Sequence, residues 1–267
     1  VSSICSAQNY LALSTPDSLL KNANAVIRQS YTNATIKPGS ATYTIEETIT
    51  IFNSSAEELA DITIPYDKLR KIKSFNAELY DKLGNKEKQF DKRDAGDYSA
   101  SGNNLGDETR QKHWNLKGAS FPYTIHYKYE IEMLSLFYIQ NWEPVTNAGI
   151  SIENATFHLA FKDVNVSNKT QLVKLTSNVA GEYTWELNGF KAIKQQPFLP
   201  NNYNFLPYVL LSAETFELFG VKGSSKTWND FGRFIYALNE NRENLDDTNI
   251  PEADQQVNSL KTKKKKI

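Results

Sequence analysis

The sequence predicts a mainly β protein: a two-sheet antiparallel sandwich followed by a C-terminal helical extension. Three observations carry this. Apolar and polar residues alternate with the two-residue period of half-buried strands in five segments of the 267-residue chain. Short polar turns separate the strand segments, with no strand–helix alternation of the kind that builds a parallel sheet. After about residue 222 the apolar spacing becomes helical.

Taken in order, the chain starts with Cys5 and Ala7, small residues two apart, as at a signal-peptidase site. Residues 1–7 are therefore expected to be a signal-peptide remnant, with the mature chain starting at Gln8. Residues 8–222 form the expected sandwich domain. Pro38-Gly39 splits a strand near 26–36 from one at 41–52. In the latter, Tyr43, Ile45, Ile49 and Ile51 share one face, opposite Thr44, Glu46, Thr48 and Thr50. Glu47 falls on the apolar face, so it should lie at an edge or meet a cation. Phe75, Ala77 and Leu79 alternate with polar residues, and Leu83-Gly84-Asn85 turns that strand into 86–90. Residues 91–112 are polar, with Gly96, Gly102 and Gly106, and read as a long loop. Further strands carry Tyr127, Tyr129, Ile131 and Met133, then Phe157, Leu159 and Phe161, then Tyr183, Trp185 and Leu187. Asn188-Gly189 is the strongest hairpin turn signal, since both residues tolerate positive φ.

Residues 223–267 read as a helical linker or the start of another domain. Thr227 and Asp230 form a variant capping box. Trp228, Phe231, Phe234, Ile235 and Leu238 then make an apolar stripe, the candidate docking element for a partner domain. Pro251 suits the first turn of a second helix reaching about Leu260. Lys261, Lys263, Lys264, Lys265 and Lys266 end the chain in a basic tail.

Composition narrows the chemistry. Hydrophobic residues make up 40%, enough for a core, and no apolar run reaches the roughly 18–20 residues of a membrane span. Thirty basic and 31 acidic residues give a net charge of −1. Without the tail lysines the remainder is mildly acidic, which argues against a nucleic-acid surface. A single cysteine, Cys5, makes neither a disulfide framework nor a thiolate metal cluster. Of the three histidines, His126 and His158 lie on polar strand faces and His113 sits beside Trp114; none has zinc-ligand spacing. No cofactor or metal is expected. Glu130 and Glu132, about 7 Å apart along one strand face, could serve glycoside hydrolysis but read as a solvated row with Lys128. Aromatic clusters at Phe137, Tyr138 and Trp142 and at Phe198, Tyr203, Phe205 and Tyr208 suit packing. Trp114 and Trp142 are the candidates for stacking on a ligand.

Beyond these patterns lies a family resemblance. It is carried by Tyr66-Asp67-Lys68-Leu69-Arg70-Lys71-Ile72-Lys73 and Ala77-Glu78-Leu79-Tyr80-Asp81-Lys82-Leu83-Gly84. It continues through Asp94-Ala95-Gly96-Asp97-Tyr98-Ser99, Tyr123-Thr124-Ile125-His126-Tyr127-Lys128-Tyr129-Glu130 and Gln140-Asn141-Trp142-Glu143-Pro144. Ala192-Ile193-Lys194-Gln195-Gln196-Pro197-Phe198 and Trp228-Asn229-Asp230-Phe231-Gly232 complete it. In order and spacing, these resemble the N-terminal domain of unknown function that precedes transglutaminase-like domains in exported bacterial proteins. The resemblance implies an immunoglobulin-like sandwich in a periplasmic or secreted multi-domain protein. Relatives continue into a papain-like core with a Cys-His-Asp triad. No triad residue carries over, because the chain stops at Ile267 before such a cysteine, as a fragment or through a frame change in the lysine run. The expected function is thus a non-catalytic accessory domain whose partner is a transglutaminase-like domain in cis. The alternative is a stand-alone binding module for envelope glycan or protein.

Overall fold

The structure is a computed structural model that describes residues 10–100, 109–194, 196 and 205–240. The expected signal remnant, the second helix from Pro251, the lysine tail, Phe198 and Tyr203 lie outside the described residues.

Most of the described residues are in strands. One large sheet is built from β1 (Ala25–Lys37), β2 (Ser40–Ile51), β4 (Arg70–Tyr80), β5 (Lys86–Asp91), β8 (Tyr123–Met133), β9 (Ile150–Phe161), β11 (Lys174–Val179) and β12 (Glu182–Phe190). Its order is β11-β12-β9-β1-β2-β8-β4-β5. A three-stranded sheet has the order β3-β7-β6, from β3 (Asp61–Tyr66), β6 (Gly96–Ser99) and β7 (Arg110–Asn115). Two strand pairs complete the second layer: β10 (Val166–Gln171) with β13 (Tyr208–Ala213), and β14 (Thr215–Leu218) with β15 (Val221–Ser224). The helix α1 (Trp228–Asn239) follows.

The sandwich-like layering follows from the alternation. Tyr43, Ile49, Ile51, Phe75, Ile125, Ile131, Phe157 and Leu159 line the inner face of the large sheet and are buried. Aromatic rings join the layers: Trp114 of β7 stacks on Phe75 at 3.8 Å, and Trp142 stacks on Phe157 at 5.6 Å. Trp142 is also bridged to Val209 of β13 by two backbone hydrogen bonds. Burial of such rings is the main gain that fixes one layer on the other.

Four details differ from the sequence reading. β1 and β9 pair in parallel, because residues 134–149 carry the chain from β8 across to the free edge of β1. The second layer is three small sheets, so the strand order departs from the four-on-three arrangement of immunoglobulin domains. Asn188-Gly189 does not close a hairpin: Gly189, at φ 66°, lies inside β12, between the Asn188–Asn154 and Phe190–Ile152 pairs. The turn between β11 and β12 is at Ala180-Gly181, where Gly181 has φ 84°. Residues 91–112 are not one loop; a short 3₁₀ turn and β6 pair the segment back onto β7. The turns at Pro38-Gly39 and Leu83-Gly84-Asn85 are where the spacing puts them.

The N-terminal segment covers part of the outer face. Tyr10 stacks on Tyr80 at 4.0 Å and meets His126 edge-on at 5.7 Å. Thr50, Thr124 and Ser151 are fully buried at that face. Thr50 and Thr124 share a hydroxyl hydrogen bond of 3.0 Å, and Ser151 donates to Leu19 O at 2.7 Å. Among the described residues no helix is long and apolar enough to cross a membrane.

Candidate functional site

Glu47 breaks the apolar alternation of β2, and the structure gives it a place of its own. β2 lies between β1 and β8, so Glu47 is at no edge. No cation pairs with it among the described residues. Its partners are instead the residues opposite it on both neighbouring strands, Ser30 on β1 and Tyr127 on β8. Ser30 Oγ donates to Glu47 Oε1 at 2.8 Å, and the Tyr127 hydroxyl donates to Oε2. Burial pushes the Glu47 carboxyl above its ordinary value of 4.5; the two hydroxyl donors pull the other way and are outweighed. Burial together with the Glu47 charge drives the Tyr127 hydroxyl well above 10.0. Tyr129 shifts in the same direction for the same reasons.

Glu47, Tyr127 and Tyr129 form the floor of a cleft of about 270 Å³. Ile27, Ile49 and Ile150 extend the floor. One wall is β3 with the preceding 3₁₀ turn (Ser54–Ala60), and the other is residues 143–146. Glu58, Asp61 and Glu143 stand on those walls. Asp61 is already engaged, by Lys117 Nζ at 2.9 Å and His113 Nε2 at 3.2 Å. Glu58 accepts from Asn147 Nδ2 at 3.1 Å. A second cleft, of about 280 Å³, shares Thr63, Ile64 and Tyr129 with the first and runs on towards Arg70 and Tyr138. Among the described residues no three His, Cys, Asp or Glu side chains are grouped to hold a metal ion.

The residues singled out from sequence are dispersed. Trp114 and Trp142 are 1% and 4% exposed and belong to the core, so neither offers a ring to an external ligand. Trp114 Nε1 is satisfied by Asp91 O at 2.9 Å. The α1 stripe divides. Phe234 is buried, Phe231 and Leu238 pack against the core, and Trp228 and Ile235 face solvent. Phe234 meets Phe216 of β14 at 4.9 Å and Phe137 at 5.4 Å, so α1 rests on the sandwich. Thr227 caps α1 by accepting from Asp230 N at 3.1 Å, as its spacing predicts. Glu130 and Glu132 stay on a half-exposed strand row, with Glu132 held by Lys73 at 3.2 Å. His158 Nδ1 hydrogen-bonds Asn33 Oδ1 at 2.9 Å. His126 is partly covered by Tyr10, and desolvation lowers its pKa from 6.5. The sequence did flag Glu47 through its misplaced charge, whereas nothing local marks Ser30 and Tyr127 as its partners.

Comparison with curated protein sequences finds no match. Among solved structures, a candidate protease from Parabacteroides distasonis ATCC 8503 superposes with a TM-score of 0.59 at 16% identity. The match covers 70% of this chain and 40% of that one, and likeness at this identity shows the fold alone. An M1 zinc metallopeptidase from Deinococcus radiodurans matches at TM-score 0.32 and 7% identity, over 71% of this chain and 42% of that one. Aminopeptidase A of Legionella pneumophila matches at 0.30 and 9%, over 72% and 22%. The chain thus spans less than half the length of each of these structures. Residues 37–194 match the family described as a domain of unknown function with solved structure (DUF3857), and the chain belongs to that family.

Proposed function

We propose that this is a non-catalytic accessory domain of an exported, periplasmic or secreted, transglutaminase-like protein, one that positions a catalytic domain following it in cis. The observation that carries the reading is the divided face of α1. Phe231, Phe234 and Leu238 clamp the helix to the sandwich, while Trp228 and Tyr236 stay 89% and 73% exposed. A helix held on one side with large aromatics on the other suits a rigid joint to a neighbouring domain. The family membership and the segment order described above agree with this reading. The only cysteine, Cys5, is outside the described body, which leaves that body without a thiol nucleophile. The glycan-stacking alternative loses its carriers, because Trp114 and Trp142 are buried.

The coding DNA downstream of the Leu260 codon tests the reading. An open transglutaminase-like frame, in register or shifted, is the expected result. Absence of such a frame in every register overturns it. Where the frame exists, Trp228→Ala in the longer protein should lower transamidation activity while leaving the sandwich folded.

A further inference from the structure

We propose that the cleft above Glu47 is a binding site for a primary ammonium group of the kind a lysine side chain presents. The inference is independent of the accessory reading. It begins with an imbalance at Glu47: two hydroxyls donate to its carboxyl oxygens, and no Lys, Arg or His pairs with it among the described residues. Glu47 is half-buried, and a carboxylate withdrawn from water to that extent ordinarily has a cation or ionises less readily. If Glu47 were only filler on the inner face, an apolar side chain would pack there without the desolvation cost. The cleft supplies the reason for an acid at this point, because Glu47 lines an opening of about 270 Å³ rather than a sealed core.

The surroundings suit an alkylammonium. Leu59 and Ile62, both partly exposed, offer apolar contact to a carbon stem, above the covered side chains of Ile27, Ile49, Ile64 and Ile150. The groups that face Glu47 from the elements around it are Tyr127 and Tyr129 from β8, Glu58 from the 3₁₀ turn, Asp61 from β3 and Glu143 from the opposite wall. None of these groups is a cation. Lys117 and His113 are engaged at Asp61, so they leave Glu47 unpaired. An entering ammonium would meet the ionised Glu47, and the proton held there at lower pH would leave to solvent.

The edge of β3 also suggests how a lysine could be presented. β3 pairs with β7 on one side alone. Leu116 N donates to Ala60 O at 2.8 Å, so by alternation the Thr63 backbone points away from β7. Consecutive residues Asp61, Ile62, Thr63 and Ile64 line the cleft, which is how a strand edge, not a strand face, borders a groove. An extended peptide laid along this edge could place a lysine over Glu47.

The test is calorimetric titration of the chain with n-butylammonium chloride, with n-butanol and with a blocked Gly-Lys-Gly peptide. Saturable binding of butylammonium but not butanol is expected. Glu47→Gln, with its fold checked by circular dichroism, should weaken binding about tenfold, as for one lost charge-assisted contact. Tyr127→Phe gives a second reading at the same site and should also weaken it. Glu87→Gln on the exposed face of β5 should change nothing. Tighter binding of the peptide than of butylammonium identifies a peptide lysine as the source; equal affinity identifies a free amine. No saturation in the unaltered chain, or equal affinity in Glu47→Gln, overturns the site.

Discussion

Arg28 reaches Glu153 at 2.7 Å across the parallel pair of β1 and β9, with the arginine side chain 4% exposed. An irregularity in β1 between Ile27 and Gln29 accompanies this placement. The same guanidinium donates to Ser14 O and to Thr15 Oγ1, both at 3.2 Å. One buried cation therefore ties the N-terminal segment to the joint of the two central strands. Arg28→Ala should cost about 2–3 kcal/mol, less than removing one partner of a fully buried pair, because the Glu153 side chain left behind is 29% exposed. Urea unfolding would measure it. Hydrogen exchange should speed up first in residues 10–24, and unchanged exchange there would contradict the tie.

Glu47 makes stability depend on pH in a stated direction. Its folded pKa is raised above 4.5 by burial. A raised acid binds its proton more tightly when folded, so its contribution is full below 4.5 and is lost as pH rises through the folded value. Glu47→Gln removes that loss. Relative to the unaltered protein, the variant should gain stability as pH climbs from acid towards neutral. His126, lowered from 6.5, works oppositely and loses its contribution as pH falls. The difference between variant and parent isolates Glu47 from it. Parallel stability curves across this range would refute the assignment.

The four tryptophans differ sharply in access: Trp114, Trp142 and Trp185 are 1%, 4% and 1% exposed, and Trp228 is 89% exposed. Iodide should quench only the Trp228 fraction of the fluorescence. Trp228→Phe should abolish the quenchable component. Substantial quenching left in that variant would show that a core ring is reachable.

Phe234 anchors α1 against Phe216 and Phe137. Phe234→Ala should cost about 3–5 kcal/mol of local stability and release the helix. A Cβ added at Gly223 would lie 2.7 Å from Phe234 Cδ2, so Gly223→Ala should loosen the same contact by overpacking. Tyr236→Ala, on the exposed side, should stay within about 0.5 kcal/mol of the parent. Limited proteolysis of 228–239 ranks the three variants; equal cleavage would remove α1 from the folded body.

Much of the local architecture was legible in the residues. The alternation through Tyr43, Ile45, Ile49 and Ile51 marks β2 and the face it buries, because side chains of a strand project to opposite sides. Pro38-Gly39, Leu83-Gly84-Asn85 and the Thr227–Asp230 cap are set by backbone preferences within a few residues. Asn188-Gly189 has the same local permission for a turn, yet pairing with β9 keeps it inside β12. The parallel β1–β9 pair joins segments far apart in the chain, and no local period encodes which strand lies beside which. Trp114 and Trp142 look identical in sequence whether they face solvent or a second layer. Glu47 advertises an anomaly, but its hydroxyl partners come from two other strands. The sequence by itself determined strand period, several turns and the helix start, since these are short-range consequences of chain geometry. Only the tertiary structure decided neighbours, burial and the cleft, since those arise when distant segments exclude water together.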